Sequence, residues 1–308
     1  MKTLIIYRKT LLAASLVMTL IYVFMWHKHF DVHITLIFVL VPISNLGFAM
    51  FARARTLEAA LIAQRINYIG GCFLLPIITM SVFSLCQIKL NRWLRVAMLL
   101  ISSAIYATVL SIGHSDLFYA DVRFERLDGV ATLIRQYGVM HTVFTVMTCG
   151  FFLMSLGAIA YSYVKKNQVS RKILLLLFLP VVVAMVVFFA GRRLFPRIEL
   201  IPAAYVFALM TYLFIVYRMN LYDITDVAVD SLVQTGDTGL MSIDFKFNYL
   251  GSNATAREVF PALNGLTVDW PITRSKMMGG TILPWLEAFR ADEARDTARY
   301  DTASAAIW

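Results

Sequence analysis

Seven apolar runs, each close to the length needed to cross a bilayer, constrain this chain more than any other feature. They fall at roughly 9–26, 33–52, 66–86, 93–113, 139–164, 172–190 and 199–217. A membrane-spanning helix needs about 20 predominantly apolar residues, or somewhat fewer where interfacial residues anchor its ends. Hydrocarbon offers backbone amides and carbonyls no partners, so each run is expected to be a helix and the seven to pack as a bundle. Composition agrees, with 59% hydrophobic and 15% charged residues, where soluble domains carry about 25% charged residues. The first partner of the chain is therefore the lipid bilayer. The basic, apolar start is read as a retained first span rather than a signal peptide, because bulky Tyr22, Phe24 and Trp26 end the run where a small-residue cleavage site would stand.

The formal charge of +9 is unevenly divided. Residues 1–218 carry 21 Lys and Arg against 7 Asp and Glu, whereas residues 219–308 carry 7 against 12. The basic residues thus flank the spans, and no basic, aromatic-interleaved patch in the tail points to nucleic acid. Seven spans place the termini on opposite sides. The turn containing Lys165, Lys166, Arg171 and Lys172 favours the cytoplasm, and the acid-balanced connection 114–138 favours the outside. Lys2, Arg8 and Lys9 argue the other way, so charge alone leaves the orientation open.

The last apolar run does not stop at the membrane edge. After Arg218 it continues with Leu221, Ile224, Ala228 and Leu232 at spacings of three, four and four, the seam of an amphipathic helix. That seam either packs on the chain's own soluble part or pairs with a second copy in a parallel homodimer. Residues 234–239 then break the helix, 240–244 alternate as a strand, 245–248 turn, and 249–252 form a second short strand. Asn253 is placed to cap a helix over 254–260. A further helix is expected at 282–289, and 301–308 reads as a strand.

Chemistry-bearing patterns are sparse. No nucleophile–base set, no phosphate-cradling glycine loop and no catalytic pair of carboxylates is evident, so no catalytic residue and no cofactor are assigned. Cys72, Cys86 and Cys149 sit in or beside apolar runs and read as buried thiols. His27, His29 and His33 cluster at one membrane edge and are read as interfacial, and no metal site is assigned. The intramembrane polar groups carry more weight. A polar side chain in hydrocarbon costs free energy unless it finds a partner or water, so it faces the bundle interior. Asn45, Asn67, Tyr68, His141 and Glu199 are such groups. They either bond between helices or line a pocket for a small-molecule ligand open to the outer side, with Arg192, Arg193 and Arg197 near its mouth. Glu199 is the strongest candidate, because it begins the helix that leaves for the soluble part.

Two stretches carry a resemblance: ARTLEAAL at 54–61 leading to NYIGGCFLLP at 67–76, and GDTGLMSIDFKFNYLGSNATAREVF at 236–260. Together they resemble bacterial signalling proteins with a histidine-kinase-type N-terminal seven-transmembrane region followed by a PAS-like domain. Similar chains continue into a GGDEF diguanylate cyclase. The resemblance implies a cytoplasmic tail, and a sensor fold in three parts: a seven-transmembrane region at 1–218, a signalling helix at 219–235 and a partial PAS-like domain at 236–308. It extends to about residue 271. Beyond that, 278–281 (MGGT) has the glycines of a GGDEF turn without its acids and reads as a loop. No histidine follows His141, where a kinase output would need a phosphoacceptor. The output domain is therefore expected to be absent from these 308 residues, and the chain to be a fragment. The alternatives are a small-molecule transporter, for which no internal repeat is seen, and an anchor that senses nothing.

Overall fold

The computed structural model describes residues 2–25, 31–127, 130–165, 169–194, 198–233, 239–292, 300–301 and 306–307. Among them, seven helices are long and apolar enough to cross a membrane. They are α1 (Lys2–Met25), α2 (Val32–Arg53), α3 (Leu57–Leu85), α4 (Arg92–Leu110), α5 (Val139–Lys165), α6 (Arg171–Leu194) and α7 (Ile201–Val233). The chain is mainly helical, as its apolar runs require. It divides into two compact units, 1–162 with 174–217, and 163–173 with 218–308.

In the first unit large apolar side chains are not confined to the interior, as they would be in a soluble bundle. Large apolar residues such as Leu20 and Phe24 on α1 and Val146 and Leu153 on α5 are exposed, while Ser44, Asn45, Thr79, Ser81, Ser102 and Ser155 are buried. Lipid is as apolar as leucine, so nothing drives leucine inward; small and hydrogen-bonding residues let helices approach and bond instead. Thr79 Oγ1 and Ser155 Oγ lie 3.0 Å apart between α3 and α5, and Thr19 Oγ1 donates to the Phe38 carbonyl at 2.8 Å. Pro42, Pro76 and Pro180 lie inside α2, α3 and α6 without ending them.

The helix starts are set by side-chain caps. Asp31 accepts from the His33 amide, Thr56 from Ala59 and Asn91 from Trp93, each worth about 1 kcal/mol. The Thr56 cap explains why α3 begins at Leu57 rather than near 66. Its first turns are buried against a β-hairpin, with Ala60 and Ala63 packed beside Phe51, Ala54 and Ala131.

That hairpin lies within the 114–138 connection, to which no strand is assigned from the sequence. Strands β1 (Tyr119–Leu127) and β2 (Val130–Tyr137) pair antiparallel, with a register shift between Tyr119 and Asp121. Phe118 and Tyr119 are buried in a cluster with Leu61, Cys72, Ile105 and Phe144, which fastens the hairpin to the ends of α3, α4 and α5.

In the second unit, strands β3 (Met241–Ile243) and β4 (Tyr249–Ser252) pair around a turn with Phe247 at φ 60°. Asp244 ties the turn down by accepting from the Lys246 and Asn248 amides at 2.8 Å each. Asn253 caps α8 (Ala254–Val259) through the Ala256 amide at 2.8 Å, the role read from the sequence, and also accepts from Leu240 N at 2.9 Å. Tyr249, Leu263, Ile272 and Met278 form the centre of its core.

Residues 278–281, expected as a loop, lie inside α9 (Lys276–Ala291). Two glycines cost a helix about 1 kcal/mol each, but Ser275 caps the start and Met278 and Ile282, four residues apart, are buried in the core. Tertiary packing outweighs the glycines. Short strands β5 (Tyr300–Asp301) and β6 (Ala306–Ile307) pair with each other.

One acid organises the polar contacts of this unit. Asp269, at φ 69° and nearly buried, pairs with Arg218 at 3.0 Å and Lys172 at 3.5 Å, and accepts from the Ser170 hydroxyl. Beside it, Arg274 and Arg171 lie over the Trp270 ring, 3.6 and 4.5 Å from its centroid.

Candidate functional site

Within the first unit, α3, α5, α6 and α7 enclose a cavity of about 290 Å³. Its polar residues gather where these helices meet the hairpin. Asn67 and Tyr68 from α3, His141 from the first turn of α5 and Glu199 ahead of α7 all line it. Four of the five residues singled out from the sequence thus stand around one space. The fifth, Asn45, is not part of the lining. It is buried on α2, and neither of its amide atoms has a hydrogen-bond partner among the described residues.

Each lining group is held by its neighbours. The Tyr68 hydroxyl lies 2.8 Å from that of Tyr119, to which Gln64 Nε2 donates at 3.4 Å and Arg135 at 3.1 Å. His141 stacks on Tyr137 with ring centroids 3.8 Å apart. Arg135 lies over the rings of Tyr119 and Tyr137, 5.6 and 5.9 Å from their centroids. A guanidinium facing aromatic rings gains electrostatic attraction that partly replaces lost water.

Burial works against the charge of Arg135, yet the Tyr119 and Tyr68 hydroxyls and Glu199 outweigh it and hold its pKa above the ordinary arginine value. Asn67 is fixed from α2, where Ser44 Oγ donates to its carbonyl at 2.9 Å.

Glu199 is partnered across the bundle. Arg8 on α1 is 5% exposed, donates to the Phe48 carbonyl at 3.1 Å and reaches the Glu199 carboxylate at 3.8 Å. The Tyr7 hydroxyl donates to the Glu199 carbonyl at 3.3 Å. A buried guanidinium with no counter-charge costs several kcal/mol, so Glu199 neutralises Arg8 and joins the start of α1 to the start of α7.

Sequence reasoning missed Arg135, Gln64, Tyr137 and Tyr205, which also line the cavity. Arg135 had a signal. Read with the period of two that a strand imposes, Ala131, Leu133, Arg135 and Tyr137 fall on one face, and Ala131 and Leu133 of that face pack on the bundle. Gln64 lies in the part of α3 that precedes the apolar run.

The other assigned positions lie elsewhere. Leu221, Ile224, Ala228 and Leu232 are on the second half of α7, but their side chains are outside the described residues. Trp26, His27, His29, Arg197 and Trp308 are also outside them, as is the side chain of Arg192. Arg193 is exposed, and His33 pairs with Asp31. Among the described residues no group of three His, Cys, Asp or Glu is close enough to hold a metal ion.

The profile of one protein family, described as the N-terminal 7TM region of histidine kinase, matches residues 10–225, more than two thirds of the chain. No curated protein and no solved structure matches it. Seven membrane-capable helices lie in the matched segment or overlap its edges. The chain belongs to the family of histidine-kinase N-terminal seven-transmembrane regions, a membrane-embedded module for sensing signals.

Proposed function

We propose that the cavity is the receptor site and that α7 carries its state away from the membrane. The carrying observation is the position of Glu199: it lines the cavity and immediately precedes a helix that runs unbroken from Ile201 to Val233. A ligand that fits one packing of α3, α5, α6 and α7 better than another shifts the balance between them by that difference in affinity. The start of α7 then rotates or slides, and Leu221, Ile224, Ala228 and Leu232 pass the change on as a homodimer seam.

In this reading the cavity opens to the outside and the tail is cytoplasmic. Residues 1–218 sense, 219–235 relay, and 236–308 are a partial PAS-like domain leading to a diguanylate cyclase or histidine kinase output. The chain itself is not an enzyme. The match to histidine-kinase N-terminal seven-transmembrane regions and the order β3–β4–α8 support this assignment.

Glu199→Gln tests it. With residues 1–233 joined in helical register to a kinase dimerisation helix that drives a reporter gene, the substitution should change basal output while membrane insertion stays intact. Unchanged output in a correctly inserted protein would refute the relay. An anchor that senses nothing predicts that result, and also that the whole bundle can be exchanged without effect.

A further inference from the structure

Two guanidiniums and one carboxylate stand at the cavity: Arg135 and Glu199 in its lining, and Arg8 behind Glu199. Glu199 is answered by Arg8, which lies outside the lining. Arg135 is part of the lining, and among the described residues no carboxylate stands within ion-pair distance of it. Its Nε is buried with no hydrogen-bond partner there. The donor it does use is satisfied by the Tyr119 hydroxyl. A planar guanidinium with donors to spare matches a carboxylate or similar oxyanion in geometry as well as charge.

The rest of the cavity is of opposite character. From His141 to Phe152 on α5, and from Gly191 back to Pro180 on α6, the lining descends about 16 Å along each helix at 1.5 Å per residue. Ile78, Val187, Phe188 and Ala208 make this lower part apolar. The space is near the lower end of the roughly 300–1,000 Å³ range of small-molecule sites, too small for a peptide or a two-chain lipid.

We propose that the cavity receives a small organic monoanion with an apolar body, its acidic head on Arg135 and its body between α5, α6 and α7. This rests on the receptor-site reading above and adds the chemical class of the ligand. The bound anion supplies the direct ion pair that Arg135 does not make among the described residues. Tyr137 and His141, stacked beside Arg135, form the aromatic rim through which the head enters.

Three probes of one shape and different charge test the class: 3-phenylpropionate, 3-phenylpropionamide and 3-phenylpropylamine. Each is titrated against the full chain in nanodiscs of neutral phosphatidylcholine. Thermal unfolding is followed by thiol labelling of Cys72, which is buried, and the concentration dependence of the midpoint gives an apparent affinity. The anion should bind about 10- to 100-fold more tightly than the amide, the span of a desolvated charged hydrogen bond, and the amine most weakly.

Arg135→Gln should bring the anion down to the affinity of the amide. Ala208→Phe, which narrows the apolar end and leaves Arg135 in place, should weaken the anion and the amide alike. Equal binding of all three probes, or a preference for the amine, would overturn the ligand class while leaving the cavity as receptor site. No midpoint shift with any probe would overturn both.

Discussion

Gly47→Ala gives the sharpest test of how the bundle is built. The α2–α3 seam closes at Gly47, where an added Cβ would lie 2.4 Å from the Asn67 amide nitrogen, 2.8 Å from Asn67 Cα and 2.9 Å from the Ala63 carbonyl oxygen. All three atoms are backbone, so no rotamer change relieves the clash. Restoring ordinary contact requires the helices to part by about 1 Å, a gap that forfeits a quarter to a half of each dispersion contact across the seam.

Overpacking of this kind costs about 1–3 kcal/mol, and the Ser44 bond to the Asn67 carbonyl at 2.9 Å is stretched with it, adding about 0.6 kcal/mol. The sum, about 1.6–3.6 kcal/mol, corresponds to a midpoint lower by about 3–14 °C for a unit of this size. Labelling of Cys72 on α3 during heating reads the loss directly, since that thiol is buried in the native bundle. Gly157→Ala is the control. Nothing lies within 4 Å of its added Cβ, and alanine is favoured over glycine in a helix by up to about 1 kcal/mol, so its midpoint should hold or rise. If Gly47→Ala melts with Gly157→Ala, the close approach of α2 and α3 is not what holds the bundle.

Two predictions concern the second unit. Asp269→Asn keeps a side chain that tolerates positive φ but removes the charge facing Arg218 and Lys172. With both cations partly exposed, the loss should be about 1–2 kcal/mol, seen in the intact protein as roughly tenfold faster hydrogen exchange of amides 267–272; unchanged exchange would show that the pairs contribute nothing. Burial alone would raise the Asp244 pKa, but hydrogen bonds from Asn248 and Lys246 prevail and hold it below the ordinary value. A depressed carboxylate contributes stability above its unfolded pKa and loses it as pH falls through the folded one. Acidification below the usual aspartate range should therefore loosen the β3–β4 turn, and Asp244→Asn should remove that pH dependence of exchange at 245–249.

Much of the outline follows from local rules that sequence expresses directly. An apolar run in hydrocarbon has few options beyond a helix, so the seven spans were readable from residue type alone. Asn253 was readable as a cap because its action reaches only three residues, to the Ala256 amide. The intramembrane polar residues were readable as inward-facing because lipid penalises them anywhere else, and four of them surround one cavity.

What the tertiary structure decided depends on contacts between distant segments. The 278–281 glycines are helical only because Met278 and Ile282 meet a core assembled from Tyr249 to Ile272. Asn45 and Asn67 look alike in sequence, but only Asn67 borders the cavity, because that depends on which face of each helix meets a neighbour. Arg135 sits in a polar connection with no apolar run to announce it. It becomes part of the cavity when the hairpin packs over the ends of α3 and α5, some 70 residues from Gln64 and Asn67. Charge and hydrophobicity along the chain therefore determined that there is a bundle with a polar interior. The packing of hairpin on helices decided that Arg135 joins the lining of the cavity.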